Sequence, residues 1–206
     1  MSALDKIAFF QQRRDEEPNQ ALARELAATQ DRLGIQVIAE NLWHKHKSVR
    51  SDCLGVLYHI GYLNPSLIAG YVGDFLKLLK DKENRMVWGA MIGLATLAEE
   101  RPTEIWNHLD DIIHAIEHST LITFVWGIKT LALVAKTDPH YSEKIFPLLL
   151  GYLQKCIARD LPLHAESVRV AVNESNRTEF VAVALARQSE LTPSQLARLK
   201  KLLKML

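Results

Sequence analysis

The sequence predicts an all-α protein: a right-handed α-solenoid of about four stacked helix pairs, with further helices capping both ends. Three observations predict it. No stretch alternates apolar and polar residues with the period of two that marks a half-buried strand. Long segments instead carry apolar residues at i, i+3, i+4 and i+7, as in Ile105, Trp106, Leu109, Ile112, Ile113 and Ile116, the pattern of a helix buried on one side. The unit also repeats: Val-Trp-Gly occurs at Val87 and again at Val125, 38 residues on, and Pro65, Pro102 and Pro139 are spaced by 37 and 37. A helix pair cannot bury its apolar face alone, so pairs recurring at near-fixed period must stack on their neighbours.

The elements follow in order along one expected domain, residues 1–206. In residues 1–30, "LDKIAFFQQRR" and "NQALARELAATQ" read as N-terminal helices. Residues 31–175 hold the repeats. "DRLGIQVIAENLWHKH" precedes "SVRSDCLGVLYHIGYLNP", and "SLIAGYVGDFLKLL" precedes "RMVWGAMIGLATLAEERP". "EIWNHLDDIIHAIEH" precedes "TFVWGIKTLALVAKTDP", and "SVRVAVNES" opens the second helix of a fourth pair. Each proline ends a pair, because proline cannot donate to the helical ladder and pushes its predecessor out of the α region. Residues 176–206 supply the C-terminal cap, "TEFVAVALARQ" and "SQLARLKKLLKML", whose outer face stays polar to keep a solenoid soluble.

The unit "YVGDFLKLLKDKENRMVWGAMIGLATLA", an apolar helix, a polar turn and a second helix, resembles a HEAT or armadillo-type repeat. The resemblance covers roughly residues 31–175 and extends to bacterial proteins of this repeat class. It implies a solenoid whose second helices line a concave surface. The period is slightly short for these repeats, and the tetratricopeptide signature is absent. A fold of this kind does not specify a function.

With Val87 as zero on a wheel of about 100° per residue, Val87, Met91, Leu94 and Ala98 form the buried face. Trp88 and Ile92 fall to one flank, and Trp126, Thr130 and Leu133 fall on the corresponding flank one unit later. Arg50 and Arg169 take that position in the outer units. Stacking would align Arg50, Trp88, Trp126 and Arg169 as a column bordering the groove, and Trp and Arg are the residues most enriched in binding hot spots. The alternative is packing of each Trp between adjacent second helices, which Gly89 and Gly93 would bring close.

Other constellations point elsewhere. "HAIEH" matches H-x-x-E-H, with His114 and His118 on one helix face and Asp111 as a third metal ligand. Those residues lie opposite Leu109, Ile112 and Ile116, on a solvated face rather than in a cleft, so no metal is expected. "QKCIARDLPLHAES" gathers Cys156, Asp160, His164 and Glu166, but nothing in that spacing brings thiol and imidazole into contact. "WHKHKSVR" is a basic inter-helix turn that either stays solvated or meets an acidic group. No phosphate loop, nucleophile elbow or C-x-x-C pair occurs, and neither a catalytic residue nor a cofactor is expected.

Composition narrows the rest. With 206 residues, 48% hydrophobic and 24% charged, the chain buries a core without staples. Two separated cysteines suit a reducing cytoplasm rather than a disulfide scaffold. The apolar runs are too short to cross a bilayer, so no membrane partner is expected. The reading is a non-enzymatic scaffold that holds a protein or peptide on its concave face. The competing reading resembles the HEAT-like DNA glycosylases, with Trp88 and Trp126 stacking on a base or sugar and Glu99 as the acid. A net charge of +1 argues against it, since a nucleic-acid surface needs clustered cations.

Overall fold

The computed structural model describes residues 2–206, and among them there is helix and turn but no strand. The α-helices in chain order are α1 (Glu17–Thr29), α2 (Arg32–Glu40), α3 (Lys47–Leu63), α4 (Val72–Leu78), α5 (Asn84–Leu97) and α6 (Pro102–Trp106). They continue with α7 (Leu109–His118), α8 (Leu121–Thr137), α9 (Pro139–Lys155), α10 (Leu161–Val168), α11 (Arg177–Ala186) and α12 (Pro193–Leu203). The chain divides into two compact units, Met1–Gly127 and Ile128–Leu206.

In the first unit, α3 packs against α1 on one side and α5 on the other, while α4 packs on α5. Leu54 and Leu57 of α3, Phe75 and Leu78 of α4, and Met91 and Leu94 of α5 are completely buried or nearly so. Each pair thus closes its apolar face on the next, as the repeat requires. In the second unit, α11 packs on α9 and α12 on α10, around Leu149, Leu153, Leu161, Phe180 and Leu199.

The Val-Trp-Gly glycines mark close helix approach. A Cβ on Gly89 would lie 2.6 Å from Leu54 Cδ2, and one on Gly127 would collide with Ile116 Cγ1. The first glycine therefore admits the second helix of the preceding pair, and the second admits its own first helix, α7.

The expected proline stops are also starts. Pro102 and Pro139 occupy the first turns of α6 and α9, where the missing N–H has no helical partner to lose. Asp138 caps α9 by accepting from His140 N–H at 2.7 Å.

Four expected helices differ. No second helix opens at "SVRVAVNES": α10 ends at Val168 and Arg169–Ala171 is a 3-10 turn. "LDKIAFFQQRR" forms only a single 3-10 turn, Ala3–Lys6. Its backbone is claimed from outside: Ala8 N–H donates to Asn19 Oδ1 at 3.0 Å and Phe9 N–H to Asp52 Oδ2 at 2.8 Å, and Gln12 adopts φ 57° to close the turn. "SLIAGYVGDFLKLL" becomes two 3-10 turns before the short α4. "EIWNHLDDIIHAIEH" is broken at Asn107–His108 into α6 and α7.

Candidate partner-binding site

Helix α3 carries Tyr58, His59 and Tyr62 along one side, since residues four apart share a helix face. Tyr58 is buried, whereas Tyr62 is 47% exposed. Their rings meet edge to face at 6.2 Å, with His59 4.7 Å from Tyr58 and 5.9 Å from Tyr62. The series continues onto α8: Tyr62 lies 6.0 Å from the Trp126 ring. Ile122, one turn before Trp126 and 45% exposed, shares that side of α8.

Trp88 belongs to the same region through Arg85, one turn before it on α5. The Arg85 guanidinium lies 3.9 Å from the Trp88 ring centroid and 5.7 Å from that of Tyr58. It also donates to Glu16 Oε1 at 3.4 Å and Tyr58 Oη at 3.5 Å. The face of Trp88 thus carries a guanidinium from its own helix, a favourable quadrupole contact. The half-buried environment is visible in the ionisation of the rings. Burial pushes the Tyr62 phenol up to about 12, with Tyr58 adding to the effect. Burial lowers the His59 imidazole below its usual 6.5, so it is neutral at pH 7.

The residues expected in a column meet different fates. Trp88 and Trp126 are each half-buried, and so is Leu133. Thr130 is completely buried and Ile92 only 6% exposed, so neither presents a surface to a partner; both lie on the packed side of their helices. Arg50 is held by the Asp81 carboxylate and donates to Leu42 O at 3.1 Å. Its role is to tie α3 to the turn before α5. Arg169 follows the last residue of α10, whereas Arg50, Trp88 and Trp126 sit near the starts of theirs. The short α10 shifts it out of the repeat frame.

The metal candidates do not converge. His114 and His118 stack at 4.3 Å, while the Asp111 carboxylate is held by Lys80 at 2.9 Å and His108 at 3.1 Å. Among the described residues, no three His, Cys, Asp or Glu side chains could hold a metal ion. Glu99 is exposed near the end of α5, and the carboxylate linked to Trp88 is instead that of Glu16. The basic turn is taken up structurally: His46 Nδ1 accepts from Ser48 N–H, and Lys47 pairs with Glu83 at 3.1 Å.

Sequence reasoning missed Tyr58, His59, Tyr62, Arg85 and Glu16. Tyr58 and Tyr62 at i, i+4, and Arg85 at i−3 from Trp88, were signals in the chain itself. The Glu16 contact joins residues 69 apart and had none.

This geometry defines the class of protein. The chain is an all-α helical-repeat protein, and its fold is similar to that of armadillo and HEAT solenoids. It is similar over 99% of its length to 96% of an engineered protein from the Northeast Structural Genomics Consortium, with TM-score 0.68 and 18% identity. A designed armadillo repeat protein, solved in complex with the peptide (KR)4, matches with TM-score 0.62 and 14% identity over 92% of this chain and 93% of that one. A karyopherin bound to the extreme C-terminus of a protein phosphatase matches with TM-score 0.62 and 16% identity, over 90% of this chain and 21% of the karyopherin. No protein-family model and no curated protein matches the sequence. Among the described residues, no helix is long and apolar enough to cross a membrane.

Proposed function

We propose that this protein is a non-enzymatic scaffold that binds a protein or peptide segment over the aromatic face formed by Tyr62, Ile122 and Trp126, with His59 and Trp88 adjoining. The observation that carries the reading is the exposure of Tyr62 and Ile122, at 47% and 45%, beside the half-buried Trp126. Large apolar side chains grouped on a surface mark interaction sites more often than isolated ones do. Aromatic rings supply contact area at low entropic cost and dominate binding hot spots. The designed armadillo protein with its bound peptide lends the fold precedent.

A non-enzymatic role is supported by the thiols. Burial pushes Cys53 up to about 12 and raises Cys156 as well, the reverse of what a nucleophile needs. Two free cysteines suit a reducing cytoplasm.

The test is affinity capture from a nuclease-treated lysate, comparing wild type with a Tyr62→Ala, Trp126→Ala variant whose helicity and melting are verified. The proposal predicts a protein captured by wild type and lost by the folded variant. Capture unchanged by the variant, or capture that appears only when nuclease is omitted, overturns it.

A further inference from the structure

Within the second unit, α11 and α12 enclose an open groove of about 600 Å³ whose chemistry differs from that of the aromatic face. Its apolar floor comes from Val181 and Leu185 of α11 and Leu203 of α12, each half-buried and still accessible. Arg177, Lys200 and Lys204 line it as well, and no acidic residue does. Their neighbour Arg198 is neutralised by Glu166, but none of these three cations forms an ion pair among the described residues. An apolar floor bordered by three uncompensated cations is an unfinished surface, complementary to a ligand with an apolar stripe and negative flanks.

We propose that this groove docks an acidic amphipathic helix of a protein partner, its Leu, Ile or Phe side chains on Val181, Leu185 and Leu203 and its Asp or Glu carboxylates on Arg177, Lys200 and Lys204. The dimensions match. Arg177 to Leu185 spans about 12 Å along α11, roughly two turns of an incoming helix. Helix-in-groove recognition uses anchors at i, i+3, i+4 and i+7, and the half-exposed floor suits a helix laid along a groove. Charge of one sign on the rim steers association and excludes basic partners.

The experiment is selection of binders from a random peptide display library on the full chain, followed by fluorescence anisotropy of the enriched peptides. The Lys200→Glu, Lys204→Glu variant is tested alongside the Tyr62→Ala, Trp126→Ala variant. Lys200 and Lys204 are exposed, so the charge reversal leaves the fold intact, which circular dichroism checks. The proposal predicts enrichment of Asp or Glu flanking apolar residues at helical spacing. Affinity falls about tenfold or more on charge reversal at the rim, falls with added salt, and is unchanged when Tyr62 and Trp126 are removed. Absence of such enrichment, or binding insensitive to charge reversal, overturns it. So does charge-reversal-sensitive self-association in sedimentation, or sensitive binding confined to phosphatidylserine vesicles, which would assign the groove to a second copy or to a lipid surface. Because the aromatic face is scored by its own variant, failure here leaves that reading standing, and the reverse holds.

Discussion

Gly89 and Gly127 lie where another side chain fills the space a Cβ needs, whereas Gly151 of α9 has no atom within 4 Å of that position. The two kinds of glycine respond oppositely to the same substitution. Gly127→Ala is expected to destabilise by about 1–3 kcal/mol through overpacking against Ile116. Gly151→Ala is expected to stabilise by up to about 1 kcal/mol, since alanine is the better helix former; thermal melting of the two variants checks both. His164 carries a second prediction at this scale. It is 1% exposed, and burial lowers its imidazole below the usual 6.5. Below pH 6.5 the unfolded chain therefore binds a proton that the folded chain refuses. Stability from this group is present above 6.5 and is lost as pH falls toward the lowered folded value. Urea unfolding at a series of pH values should show proton uptake on unfolding in that window, and an NMR titration of the folded chain should place His164 below 6.5. Close helix approach was legible in the sequence at Gly89 and at Gly93. At Gly127 it was not, because its neighbour Ile116 depends on where α7 begins.

Among the elements, Arg50 ties α3 to the turn before α5; its side chain is 18% exposed and that of its partner Asp81 15% exposed. Arg50→Ala leaves that carboxylate part-buried without its cation and is expected to cost about 1–3 kcal/mol, read from denaturant unfolding. Asp138→Ala removes the cap from α9 and should cost about 1 kcal/mol in the same assay. The periodic helices α5 and α8, which carry the repeated Val-Trp-Gly, were legible in the chain. The N-terminal segment was not: its amides are claimed by Asn19 and Asp52, residues distant in sequence, and such tertiary bonds override local propensity. The same reasoning explains Arg169. Its residue type fitted the column, but α10 ends before it, and a wheel assumes that the helix continues.

For the whole molecule, helical periodicity, the lack of strand alternation and the repeat together made the helical-repeat fold legible, because amphipathic pairs recurring at near-fixed period bury their faces by stacking. The candidate surface was half legible. Trp88 and Trp126 were visible as repeated residues. Their neighbours were not, since Tyr62 reaches Trp126 across 64 residues and Arg85 already occupies the face of Trp88. The central claim is that the Tyr62–Ile122–Trp126 face is where a partner sits. Oxidative footprinting of the captured complex, resolved residue by residue, tests it most directly. The account predicts that Tyr62 and Trp126 become protected from oxidation when the partner is bound. Unchanged oxidation of both, with protection elsewhere on the chain, would contradict it.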